Sequence, residues 1–267
     1  MNSESGNQSQ TILTLVVIGA LAAPLALVLF VVFALIGGLS ALDLVWAVVL
    51  GVIGASLVIW RLTSRAVISA LAELQADPIE PADEPRLVNL VEGLALSSGV
   101  AQPELYLIDD EACNSCVLAD QNRAIMVLTS GMLSTLDRIQ LEAVVANALA
   151  RIRSGDAASA TVARTLFGAL LMEPFGAMVE PIAKAGLERL IAPHSDINTD
   201  QAAVTITRYP PGLAAALEAL AQKPVGPETA SRANDHLWLV SPASAAGRST
   251  VAPVSPLGLR IDVLHEL

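Results

Sequence analysis

Few side chains in this 267-residue chain carry chemistry by type and spacing. Cys113 and Cys116 form the one C-x-x-C pair. A structural zinc site needs four ligands, and no second pair or nearby histidine completes one. A redox pair would open a helix, yet Leu118 to Asn122 follows as a turn, so the two cysteines read as small, semi-buried loop residues, with a redox or disulfide role as the rival. The histidines are His194, His236 and His265. His194, Asp196 and Asp200 share one window, but H-x-D-x-x-x-D is a weak metal pattern and reads first as a solvated loop. His236 opens a short apolar run and reads as structural, while His265 reads as solvated. A thiol or hydroxyl nucleophile needs a base at its side, and pairing Cys116 with His236 or His194 has no motif behind it.

The elements that must hold these groups follow from periodicity. Glu84-Pro85 opens a helix whose apolar face is Leu87, Leu90, Val91, Leu94 and Leu96. Leu105 to Ile108 and Ile125 to Leu128 read as strands, which implies a small antiparallel sheet packed on helices. Asp137 caps a helix over Arg138 to Arg153 with Leu141, Val144, Val145, Leu149 and Ile152 as its stripe. Tyr209-Pro210-Pro211-Gly212 interrupts a later helical region, His236 to Val240 reads as a last strand, and Leu257 to Leu267 as a closing helix.

The chain is 54% hydrophobic and 15% charged, against about 25% charged in ordinary soluble domains. The apolar excess lies in the first sixty residues. Thr11 to Ile36 and Leu42 to Trp60 are each long enough for the roughly 20 residues of a span, with Gly37-Gly38 between them and Trp46 and Trp60 placed as interface anchors. Arg61 and Arg65 follow the second run, so the positive-inside rule puts both termini and the C-terminal domain on the cytoplasmic side of the cell membrane. Residues 161–193 form a further apolar stretch, but Glu173 and Glu180 interrupt it, which favours short packed or interfacial helices over a second hairpin. The expected organisation is a polar tail over 1–10, a transmembrane hairpin over 11–64, a helical and acidic Pro-rich link over 65–83, and a domain over 84–267. A net charge of −11 repels phosphate backbones and argues against nucleic acid as a partner.

Pro85 to Glu92, Pro103 to Asp109, Asn114, Ile125 to Leu133 and Leu136 to Val144 together resemble the M48 family of membrane zinc metalloproteases, the group of HtpX and the CAAX prenyl protease. Ala203 to Leu213 and His236 to Val240 are similar to it as well. The resemblance implies an α+β, mainly helical fold, with an N-terminal two-helix transmembrane hairpin and a zincin-like cytoplasmic domain. It also implies H-E-x-x-H on the Arg138 helix, two histidines for zinc and a glutamate for the attacking water. Here the corresponding window is Asn147-Ala148-Leu149-Ala150-Arg151. Asn147 and Arg151 stand at the histidine positions and Ala148 at the general base. The family's third ligand falls on Asp196, with Asp200 at the aspartate that follows it.

Asn147 is a poor zinc ligand, Ala148 cannot carry a proton, and Arg151 puts a cation where the metal would be. The expectation is therefore no catalytic residue, no metal residue and no cofactor: a protease homologue that is not an enzyme, with Arg151 paired to Asp196 or Asp200. Such a protein would bind, regulate or scaffold at the membrane, with lipid and a membrane-protein or protease partner. Polypeptide would add to a sheet edge at Ile125, Met126, Val127 and Leu128. The alternative is an active membrane metalloendopeptidase with a relocated or non-standard metal site.

Overall fold

The structure is a computed structural model that describes residues 28, 31, 41–120, 122–168, 180, 181, 184–188, 191, 194–250 and 253–267. Contacts divide the chain into two units, Met1–Arg65 and Ala66–Leu267. In the first, α1 (Ala41–Thr63) carries exposed Val45, Trp46, Val49, Leu50, Ile53, Leu57 and Trp60, while Gly51 and Ala55 are buried. Among the described residues no helix is long and apolar enough to cross a membrane. The first expected span lies outside the described residues apart from Val28 and Val31, and most of the 169–193 stretch lies outside them too.

The second unit begins with α2 (Ala66–Leu74), β1 (Asp77–Pro78) and α3 (Pro85–Ser98). Proline at the first turn of α3 loses no intrahelical bond, and Gly99 at φ 69° closes the helix by donating its N–H to the Ala95 and Leu96 carbonyls. Its buried residues are Leu87, Val91, Leu94 and Ala95, whereas Leu90, expected on the same face, is half-buried and Leu96 is 84% exposed.

β2 (Glu104–Ile108), β3 (Ser115–Ala119) and β4 (Ala124–Thr129) join β1 in a four-stranded sheet ordered β1-β2-β4-β3. β1 and β3 are antiparallel to their neighbours, but β2 and β4 run parallel, so the sheet is mixed, where the sequence predicts an antiparallel one. The cause is β3, which the sequence reading leaves as a loop. It forms a hairpin with β4 on the outer side, around a turn in which Asp120 Oδ1 accepts from the Asn122 and Arg123 amides at 2.8 and 3.0 Å. β4 thus lies between β2 and β3, and Ile125, Met126, Val127 and Leu128 have no free edge to offer. Cys116 sits on β3 and Cys113 just before it; both are fully buried and neither forms a disulfide.

α4 (Ser130–Thr135) follows β4 directly, with Thr129 Oγ1 accepting from Met132 N. A Cβ at Gly131 would lie 2.1 Å from the Glu111 carbonyl oxygen, so only glycine fits there. α5 (Arg138–Ser154) starts with a capping box: Asp137 Oδ1 accepts from Gln140 N at 2.9 Å and Gln140 Oε1 from Asp137 N at 3.0 Å. Every residue from Ala143 to Ala150 is buried, so this helix is enclosed rather than one-faced. Around it pack α3, α6 (Asp156–Phe167), α7 (Ser195–Thr207) and α8 (Pro210–Ala221). The 236–240 run is a 3₁₀ turn, Asp235–Leu237, followed by one antiparallel bridge between Trp238 and Cys116, not the strand expected. α9 (Pro242–Ala245) and α10 (Leu257–His265) complete the unit.

Candidate functional site

The buried middle of α5 faces α7, and the two helices bring Asn147 and Asp200 together. Asn147 Nδ2 donates to Asp200 Oδ1 at 2.8 Å. Arg260, on α10, completes the group with Nε to Oδ2 at 2.7 Å and Nη2 to Oδ1 at 2.8 Å. Its Nη1 also donates to the Leu239 carbonyl at 2.7 Å. Asp200 is 1% and Arg260 4% exposed, so the pair is cut off from water and survives by its geometry. Burial works against both charges, and Asp200 beside it holds Arg260 above the ordinary arginine value. Three donors meet the two oxygens of Asp200; burial pushes its carboxyl above the ordinary carboxylate range, and Arg260 pulls it back.

Asp196, one turn earlier on α7, is held by the segment that precedes α10. Ser255 donates its backbone N–H to Oδ2 at 2.7 Å and its hydroxyl to Oδ1 at 2.8 Å, and the Ile197 amide reaches Oδ1 at 3.0 Å. His194 caps α7 in the left-handed region at φ 59°, with Nδ1 3.3 Å from Ser255 Oγ. Asp196, Asp200 and His194 are thus neighbours in sequence with different partners in space.

Arg151 does not form the ion pair expected of it. No carboxylate lies within 4.0 Å of its guanidinium among the described residues. It donates instead to backbone, Nη1 to the Leu237 carbonyl at 2.8 Å and Nη2 to the His236 carbonyl at 3.4 Å. Burial lowers its basicity and Arg260 adds to that, while the charges of Asp156 and Asp196 act the other way. Arg260 takes Asp200, one of the two carboxylates expected for Arg151. The sequence does hold a signal for this: Leu257, Arg260, Ile261 and Leu264 share helical spacing, which puts an arginine on the inward stripe of α10. Ser255 carries no comparable signal.

His236 is buried, and its Nε2 donates to the Ala160 carbonyl at 3.0 Å. Burial pulls its pKa down to about 4, so the ring is neutral at physiological pH. Burial likewise pushes the Cys116 thiol up to about 12, which makes a poor nucleophile. His265 lies apart on the surface, 2.9 Å from Glu218. Asn147, Arg151, Asp196, His236, Trp238 and Ser255 line one cleft of about 220 Å³.

Zinc, which the resemblance implies, has no standard seat at this window. The Asn147 amide nitrogen is turned to Asp200, Ala148 offers no donor atom, and Arg151 supplies a cation. Among the described residues no group of three or more His, Cys, Asp or Glu is arranged to hold a metal ion. The residues present do not fit the family's metal in the family's place.

No protein-family model matches the chain, and no solved structure matches it. Curated proteins do. The chain is 27% identical over 206 residues to a protein named Protease HtpX homolog from Dictyoglomus turgidum, covering 66% of this chain and 68% of that one. A second, from Dictyoglomus thermophilum, is 26% identical with 70% and 71% covered. A third, from Salinibacter ruber, is 27% identical over 240 residues, with 81% and 85% covered. These names overturn two expectations, that the chain is not an enzyme and that it has no cofactor. The relatives are named proteases, and zinc is the cofactor that goes with the family that the chain resembles. Asn147, Ala148 and Arg151 show only that the usual donor set is not at its usual place. The similarity covers 66–81% of this chain and 68–85% of these relatives, so the chain is similar over most of its length to proteins named Protease HtpX homolog.

Proposed function

We propose that the chain acts on polypeptides at a membrane, as an HtpX-like peptidase whose cleft carries a non-standard set of polar groups. One observation carries this reading: the cleft lies over the α5 window and is lined by side chains that suit a peptide group. Arg151 already donates to two peptide carbonyls of its own chain, and a substrate carbonyl is the same chemical group. Asp156 and Asp196 are the carboxylates that line the cleft, whereas Asp200 does not line it and is ion-paired to Arg260. A membrane location is supported by the exposed apolar side chains of α1. Arg61 and Arg65 support a cytoplasmic face for the second unit.

The test is incubation of the detergent-solubilised chain with unfolded casein, reading new N-termini by mass spectrometry. Cleavage that Asp196→Asn removes supports the peptidase reading. Capture of casein without new N-termini counts against cleavage, and neither capture nor cleavage sinks the polypeptide reading altogether.

A further inference from the structure

The charges around the cleft are matched unevenly. Asp200 is met by Arg260 and Asn147, and Asp196 by three donors from Ser255 and Ile197. Arg151 is a permanent cation whose hydrogen-bond partners are two neutral carbonyls, the second at a long 3.4 Å. Asp156 and Asp196 act on it only from beyond ion-pair distance. A guanidinium has five N–H donors in a fork that fits a carboxylate with two parallel bonds. Nη1 and Nη2 each spend one N–H on a carbonyl, and Arg151 is half-buried and lines the cleft.

The walls around that cation are mixed. Ser195 and Thr199 stand on one side, and Ile191, Trp238, Leu239 and Leu257 give apolar surface. About 220 Å³ is below the roughly 300–1,000 Å³ of drug-sized pockets, which suits the end of a chain better than its middle. We propose that Arg151 forms a carboxylate subsite in this cleft, taking the free C-terminal carboxylate of a polypeptide that ends in an apolar residue. This rests on the reading of the cleft as a polypeptide site and names the kind of polypeptide.

The test is thermal unfolding of the full chain in detergent with N-acetyl-leucine, with its uncharged amide, and with inorganic phosphate. The acid is expected to raise Tm by about 2 °C more than the amide or phosphate. Arg151→Gln abolishes that difference against its own ligand-free baseline, and Arg151→Lys keeps part of it, since charge without the fork remains. Equal shifts from acid and amide overturn the subsite, as does a difference that survives in Arg151→Gln. Phosphate acting as well as the acid would mean a general anion site and also overturn it. These probes contain no polypeptide. Discrimination of acid from amide without casein capture sinks the polypeptide reading but not the carboxylate subsite, and the reverse pattern sinks the subsite alone.

Discussion

Arg260 and Asp200 are each other's solvent. Removing the arginine leaves a carboxylate buried among Asn147 and apolar neighbours, a loss of about 3–5 kcal/mol by the general cost of orphaning one member of a buried pair. Arg260→Met should therefore lower the thermal midpoint sharply, and Asp200→Leu added to it should recover much of the loss; melts of the two variants check this. His236 gives a pH dependence of definite sign. Its pKa falls from 6.5 unfolded to about 4 folded through burial, so the unfolded chain binds the proton more tightly. The stability it contributes is complete above about pH 6.5 and drains as pH falls toward 4, on the order of 3 kcal/mol in all. His236→Gln should flatten that window in unfolding measured against pH. At this scale the resemblance aligns Asn147, Arg151, Asp196 and Asp200 as one site; in the structure Asn147 bonds Asp200, while Asn147, Arg151 and Asp196 line the cleft. The sequence does not show which arginine meets which aspartate. Two arginines 109 positions apart compete for one carboxylate, and only the placing of α10 decides between them.

Elements were legible where local chemistry fixes them. The Asp137–Gln140 capping box, the proline start of α3 and its glycine stop all stand in the sequence and all form. Asp137→Ala should cost about 1 kcal/mol, seen as a small fall in Tm with amide exchange speeding first at the start of α5. β3 was not legible. All five of its residues are buried, so there is no alternation of exposed and covered positions to betray a strand, and Ser115 and Cys116 have little strand preference of their own. Missing it made the sheet look antiparallel and put the presumed peptide edge on β4, an inner strand. β3 is an outer strand, but Leu239 N donates to the Ser115 carbonyl at 2.8 Å and Thr161 Oγ1 accepts from Ala119 N at 3.1 Å. Part of its edge is therefore already covered by the chain itself.

At the scale of the whole molecule, composition separates an apolar N-terminal segment from a domain with its own core, and the contacts fall into two units divided at Arg65. With apolar side chains exposed along α1, the chain should stay in the membrane pellet after alkaline carbonate extraction, and a chain starting at Ala66 should be released. Most directly, the account stands on polypeptide engagement by the cleft over α5. The measurement is fluorescence anisotropy of labelled, unfolded casein titrated with the full chain, beside the variant Ser244→Trp, which adds bulk to the lining of the cleft. Saturable binding by the wild type, lost in the variant at an unchanged Tm, is the result predicted. Equal binding by both chains, or by neither, would contradict it.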